Sequence, residues 1–177
     1  MPDSHRVYVG VGSNIERESN ICGGLGDLDH EFGPLRLSSV YESRAYGFTG
    51  DDFFNLVAGF DTQKSVSEVS VMLREIEFRY GRQRQQEKYA PRTLDIDLLL
   101  YDDLVINDGK LVLPREDILK YSFVLCPLAE IAGDEVHPVA GMTYADLWRT
   151  FSGSREDTWK STYDPLPSRA GDPKPDS

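Results

Sequence analysis

The chain has 177 residues, 40% of them hydrophobic and 11% aromatic, which suits one globular domain able to bury a core. Against 19 Lys and Arg stand 30 Asp and Glu, and the net charge of −11 argues against nucleic acid or an anionic membrane as partner. Cys22 and Cys126 are too few for a disulfide framework and no apolar run approaches the ~20 residues that span a bilayer, so the expected setting is the cytoplasm.

Taken in order, Arg6 to Val11 is β-branched and strand-like, and Gly10, Gly12, Ser13 and Asn14 predict a strand-to-helix corner. The glycines lack the third member of a dinucleotide fingerprint. Ile15, Ile21, Leu25, Leu28 and Phe32 mark one face of a first helix, which Gly23, Gly24 and Gly26 predict to be frayed or kinked. Leu35 to Tyr41 alternates as a strand, residues 42–52 read as a loop, and Phe53 to Asp61 is the next strand. Ser65 and Glu68 form a capping-box pattern that starts a second helix, its buried face running to Tyr80 and its stop at Gly81.

A long loop, residues 82–93, leads into a strand from Leu94 to Tyr101. Short extended pieces at Leu104–Ile106 and Leu111–Leu113 flank the turn Asn107-Asp108-Gly109. Phe123 to Leu125 reads as a strand, followed by a short helix beginning near Pro127 and an amphipathic helix from Thr143 to Phe151. Residues 152–177 carry Pro165, Pro167, Pro173 and Pro175 and few apolar side chains, which predicts a surface or disordered tail after a single domain of residues 1–151. The order β-α-β-β-α-β predicts an α+β fold: a ferredoxin-like sandwich with a mainly antiparallel sheet, helices packed on it, and additions at the C-terminal end making a third layer.

The chemistry concentrates at residues 81–101. Arg82, Arg84, Lys88 and Arg92 make a basic loop on an acidic protein, suited to a small anionic ligand. Asp95 and Asp97 share one face of the following strand, their Cα atoms roughly 6–7 Å apart. Hard carboxylate oxygens at that spacing suit Mg²⁺. The same residues also fit a plain reading in which Asp95 pairs with Arg92 or Arg82 and Asp97 faces water, and spacing does not choose between the two. Phe53 and Asn55 share a strand face, but for Phe53, as for Phe123, the residues by themselves favour core packing. His5, His30 and His137 have neither triad nor metal spacing, and serine-nucleophile and P-loop motifs are missing.

Together the segments VGVGSN at residues 9–14, FFN at 53–55, GRQR at 81–84, APRTLDIDLLLY at 90–101 and FVLCPLAEI at 123–131 resemble the 6-hydroxymethyl-7,8-dihydropterin pyrophosphokinase family. The resemblance implies pyrophosphate transfer from ATP to the pterin hydroxymethyl group with release of AMP, in folate biosynthesis, with ATP and a reduced pterin as partners; a monomer is expected. It implies that Asp95 and Asp97 hold two Mg²⁺ ions and that Arg82 and Arg92 stabilise charge at the transferring group. It assigns Ser43, Tyr46, Phe53, Asn55 and Phe123 to the pterin, and Glu77, Arg84, Tyr89, Leu98 and Arg115 to ATP. Loops 42–52 and 82–93 are implied to close over the reactants. Residues 43–47 read SRAYG where the family commonly has T-x-P-x-G, and Arg115 and Tyr121 replace the usual histidine and arginine. Those differences leave a second reading, a divergent paralogue that takes a modified pterin or binds its ligands without efficient turnover.

Overall fold

The computed structural model describes residues 4–44, 52–81, 94–155 and 157–165. Its central strand, β1 (His5–Ser13), alternates Val7, Val9 and Val11 on one face with Tyr8, Gly10 and Gly12 on the other. β4 (Phe53–Thr62) and β5 (Asp95–Tyr101) flank it, both antiparallel. β2 (Arg36–Leu37) and β3 (Tyr41–Ser43) pair with β4, and β8 (Thr158–Lys160) adds to β3, giving the order β5-β1-β4-β3-β8.

The valine face is covered by α1 (Arg17–Phe32) and α2 (Val66–Arg79), whose Ile21, Leu25, Leu28, Val69, Leu73 and Ile76 pack on Phe54, Leu56, Phe60 and Ile96. Each fully buried side chain of this kind contributes about 1.5–3 kcal/mol of transfer free energy. The opposite face carries the C-terminal additions: α3 (Asp117–Lys120), α4 (Ser122–Ala132) and α5 (Tyr144–Arg149). Their Ile118, Leu125, Leu128 and Tyr144 meet Tyr8, Val57, Leu99 and Leu100, and so cover one end of that face. A register shift lets Leu99 and Leu100 both join this cluster, Tyr8 pairing with Leu100 while Val9 pairs with Leu98. The expected sandwich and its third layer are therefore present. The other end of this face, around Gly10, Gly12, Asn55, Asp95 and Asp97, opens into a cavity.

Local chemistry explains the elements. The capping box of α2 is complete: Ser65 Oγ accepts from the Glu68 N–H at 3.2 Å and Glu68 Oε1 accepts from the Ser65 N–H at 3.1 Å. Gly81, at φ 102°, ends the helix. The hairpin strands β6 (Ile106–Asn107) and β7 (Val112–Leu113) flank the expected turn.

Several elements differ from expectation. β1 runs through both glycines to Ser13, and the corner comes at residues 14–16, where Glu16 takes the left-handed conformation (φ 40°). α1 is one continuous helix of 16 residues, and two of its three glycines are contact points: a Cβ on Gly23 would stand 2.6 Å from the Tyr80 hydroxyl, and one on Gly24 2.8 Å from Leu94 Cδ2. The stretch from Leu35 to Tyr41 is divided at Ser38, whose N–H donates to the Val57 carbonyl (3.0 Å) while its Oγ accepts from the Val57 N–H (2.9 Å). Phe123 to Leu125 are helical, not extended. Val124, Leu125, Leu128 and Ala132 form one buried helical face, and Pro127 lies inside α4 instead of opening it. Part of the segment read as a tail is sheet, namely β8, and Tyr163 beyond it stacks on Phe54 with centroids 5.1 Å apart. Among the described residues, no helix is long and apolar enough to cross a membrane.

Candidate active site

The uncovered end of the sheet forms a cavity of about 360 Å³. Its floor is glycine. Gly12 lies opposite Asp95 and Gly10 opposite Asp97 in the β1–β5 register, while on the other side Gly12 pairs with Asn55. With no side chain on β1 at these positions, the space beside the two carboxylates stays open. A Cβ on Gly12 would stand 3.0 Å from Asn55 Oδ1, so even alanine crowds the amide.

Around this floor the fold gathers Ser43, Phe53, Asn55, Asp95, Asp97 and Phe123, six of the residues picked out in the sequence. Phe53 and Asn55 reach it from one face of β4, as their spacing predicted. Asn55 Nδ2–H donates to Ser43 Oγ at 2.7 Å, which fixes the amide's orientation. Phe123 approaches from the first turn of α4 and stacks on Tyr121 at 5.1 Å. Two phenylalanines and an oriented amide are side chains of the kind that receive a flat, partly polar ring.

On the α2 side of β5 lies a second recess, about 660 Å³, lined by Glu77, Leu98 and Arg115 among others. Asp97 lines both spaces. As the plain reading had it, the Asp97 side chain faces water, being 45% exposed, and its Oδ1 also stands 3.6 Å from Arg115 Nη2, while Arg115 Nε is 3.4 Å from Asp117. Arg115 is also tied to β5 through its N–H, which donates to the Leu99 carbonyl at 3.0 Å. Glu77, only 4% exposed, reaches under the strand, where its Oε2 accepts the Ile96 N–H at 3.1 Å. That amide sits between the two aspartates in sequence, so α2 helps fix the strand that presents them.

Arg82, Arg84, Tyr89 and Arg92, together with Tyr46, lie outside the described residues. The sequence reasoning overlooked Gly10 and Gly12 as a floor, and Arg74, Phe78 and Lys110 in the second recess. Arg74 carried a usable signal, since it precedes Glu77 by three positions on α2 and so shares its face. Lys110 gave none, being brought in by a hairpin remote from α2. His137 has no place here: it is 2% exposed, and its Nδ1 accepts the Val139 and Ala140 N–H groups at 3.1 and 2.9 Å, organising the loop before α5.

Residues 8–133 match the family model described as 7,8-dihydro-6-hydroxymethylpterin-pyrophosphokinase. The chain is 36% identical over 135 residues to a 2-amino-4-hydroxy-6-hydroxymethyldihydropteridine pyrophosphokinase of Aquifex aeolicus, covering 75% of this chain and 84% of that protein. Identity to a protein of the same name from Synechocystis is 38% over 146 residues, with 81% and 74% covered. A crystal structure of Plasmodium falciparum HPPK-DHPS shares the fold at a TM-score of 0.69 and 12% identity, and the match covers 85% of this chain but 46% of that longer one. A family match over most of the chain and relatives above 30% identity agree: the chain belongs to the 7,8-dihydro-6-hydroxymethylpterin-pyrophosphokinase family.

Proposed function

We propose that this protein transfers pyrophosphate from ATP to the hydroxymethyl group of 6-hydroxymethyl-7,8-dihydropterin, releasing AMP, as a step of folate biosynthesis. The observation that carries the reading is that Asp97 lines two spaces, one with two phenylalanines and an oriented amide, and a larger one with Arg74, Lys110 and Arg115. The pterin ring would lie between Phe53 and Phe123, its polar edge on Asn55 and the Ser43 side of the cavity. The triphosphate would reach from the recess of Arg74, Lys110 and Arg115 toward the aspartates.

Asp95 and Asp97 fit a magnesium site in donor chemistry. They offer carboxylate oxygens beside a glycine floor, and among the described residues no group of three His, Cys, Asp or Glu is assembled to complete an all-protein cage. Mg²⁺ suits such a pair, because it keeps waters and phosphate oxygens for its remaining positions. Bound there, it would neutralise charge on the transferring group and align the two reactants.

The protein's own contribution is positioning. The β1–β5 ladder and the Glu77–Ile96 hydrogen bond hold the acids, and the Ser43–Asn55 hydrogen bond orients the acceptor's partner. Arg82 and Arg92, expected to stabilise the charge, and Arg84, Tyr89 and Tyr46 belong to segments that flank this junction in sequence. Release of AMP from Mg-ATP, followed by chromatography with and without the dihydropterin, tests the proposal. AMP should rise only when the pterin is present, and equal AMP in both samples overturns it.

A further inference from the structure

The family match ends at residue 133, yet β8 lies beyond it in the chain and stands behind the acceptor cavity. Pairing with β3 sets Thr158 opposite Ser43 and Trp159 opposite Glu42. Ser43 is the residue whose hydroxyl receives the Asn55 amide proton. The Thr158 hydroxyl also lies 2.7 Å from the Ser122 hydroxyl, and Ser122 immediately precedes Phe123 on the other wall. One residue therefore touches both walls, through the sheet ladder on one side and through its hydroxyl on the other. The corner is fixed further by Asp157, whose carbonyl accepts the Arg44 N–H at 3.3 Å and whose carboxylate lies 3.9 Å from the Arg44 guanidinium. Trp159 Nε1–H donates to Glu42 at 3.3 Å, and Glu42 in turn accepts from Arg17 at 3.0 Å.

We propose that Thr158 is a positioning residue for the acceptor, setting the separation between the Phe53–Asn55 wall and the Phe123 wall. It lines no part of the cavity itself, so it acts through Ser43 and Ser122. Stacking a flat ring between two side chains requires their spacing to be set before the ring arrives, and spacing left to thermal motion is ordered at the expense of affinity. The inference rests on the pterin reading for its ligand, while the coupling of the two walls is a property of the protein alone.

Thr158→Val keeps the β-branched shape of the strand and removes only the hydroxyl. Loss of one net hydrogen bond predicts a pterin KM raised roughly two- to tenfold, with kcat and the ATP KM within about twofold, and Thr158→Ser should restore it. Hydrogen exchange without ligand should quicken in both residues 41–44 and residues 121–126 of the valine variant. An unchanged pterin KM, an equal rise in the ATP KM, or exchange that quickens on one wall only overturns the inference. If the wild-type protein does not turn over the pterin, the functional proposal fails by itself. The exchange measurement then still decides: quickening on both walls upholds the positioning role, and no change ends it.

Discussion

Removing the Glu77 carboxylate is the most informative perturbation of the scaffold beneath the metal-binding pair. Glu77 is 4% exposed and accepts the Ile96 N–H at 3.1 Å. Glu77→Ala leaves that amide without this acceptor, and loss of a hydrogen bond to a charged group costs about 1.5–3 kcal/mol. One buried methylene goes with it, at about 0.8 kcal/mol. Relief of the carboxylate's own desolvation works in the opposite direction, and the net expectation is a loss of about 2–3 kcal/mol. For a chain of this size each kcal/mol moves Tm by about 2–4 °C, so Tm should fall by about 4–12 °C. Glu77→Gln retains an acceptor oxygen and should lose less than half as much. Because Ile96 lies between Asp95 and Asp97, the ATP KM of the alanine variant should rise while the pterin KM holds. Differential scanning calorimetry with both KM values checks this. A Tm within about 1 °C of wild type, or a glutamine variant less stable than the alanine one, refutes the reasoning.

Two further outcomes follow from the same structure. Asp97→Ala should reduce turnover roughly a thousandfold or more, since a metal supplies several kcal/mol of charge stabilisation to such a step. Its side chain and that of Arg115 are 45% and 40% exposed, so the lost ion pair is worth about 0–1 kcal/mol and Tm should barely move; normal turnover in this variant removes the metal assignment. Burial holds the pKa of His137 below the ordinary histidine value. Folding therefore favours the neutral ring, whose Nδ1 accepts two N–H groups. The unfolded chain binds the proton more readily, so the contribution is complete above pH ~6.5 and is lost as pH falls below it. Thermal denaturation at pH 7.5 and 5.0 should show a larger acid loss for wild type than for His137→Asn, and equal losses contradict this.

The strands and helices that the sequence made legible are those whose local chemistry is sufficient. β1 and β4 are runs rich in β-branched and aromatic residues, and α2 carries a capping box that forms both of its hydrogen bonds. Misreadings arose where a remote partner decides the conformation. Phe123, Val124 and Leu125 have high strand propensity, but burial against Val57, Leu99 and Leu100 selects the helical face. β8 has only three residues, and its pairing depends on the free edge of β3. Of the candidate site, period-two spacing placed Asp95 with Asp97 and Phe53 with Asn55 on shared strand faces, but it did not choose between a site and the plain readings. The role of Gly10 and Gly12 emerges only when β5 is laid beside β1, because a glycine's lack of a side chain matters only against a neighbour.

The proposed reaction is direct transfer between ligands held in the two spaces that Asp97 lines. Its most direct test is the product balance of a single-turnover reaction, read by mass spectrometry on the quenched mixture of enzyme, Mg-ATP and 6-hydroxymethyl-7,8-dihydropterin. Direct transfer predicts one pterin pyrophosphate formed for each AMP, with no free pyrophosphate. AMP matched by free pyrophosphate and an unmodified pterin would contradict it.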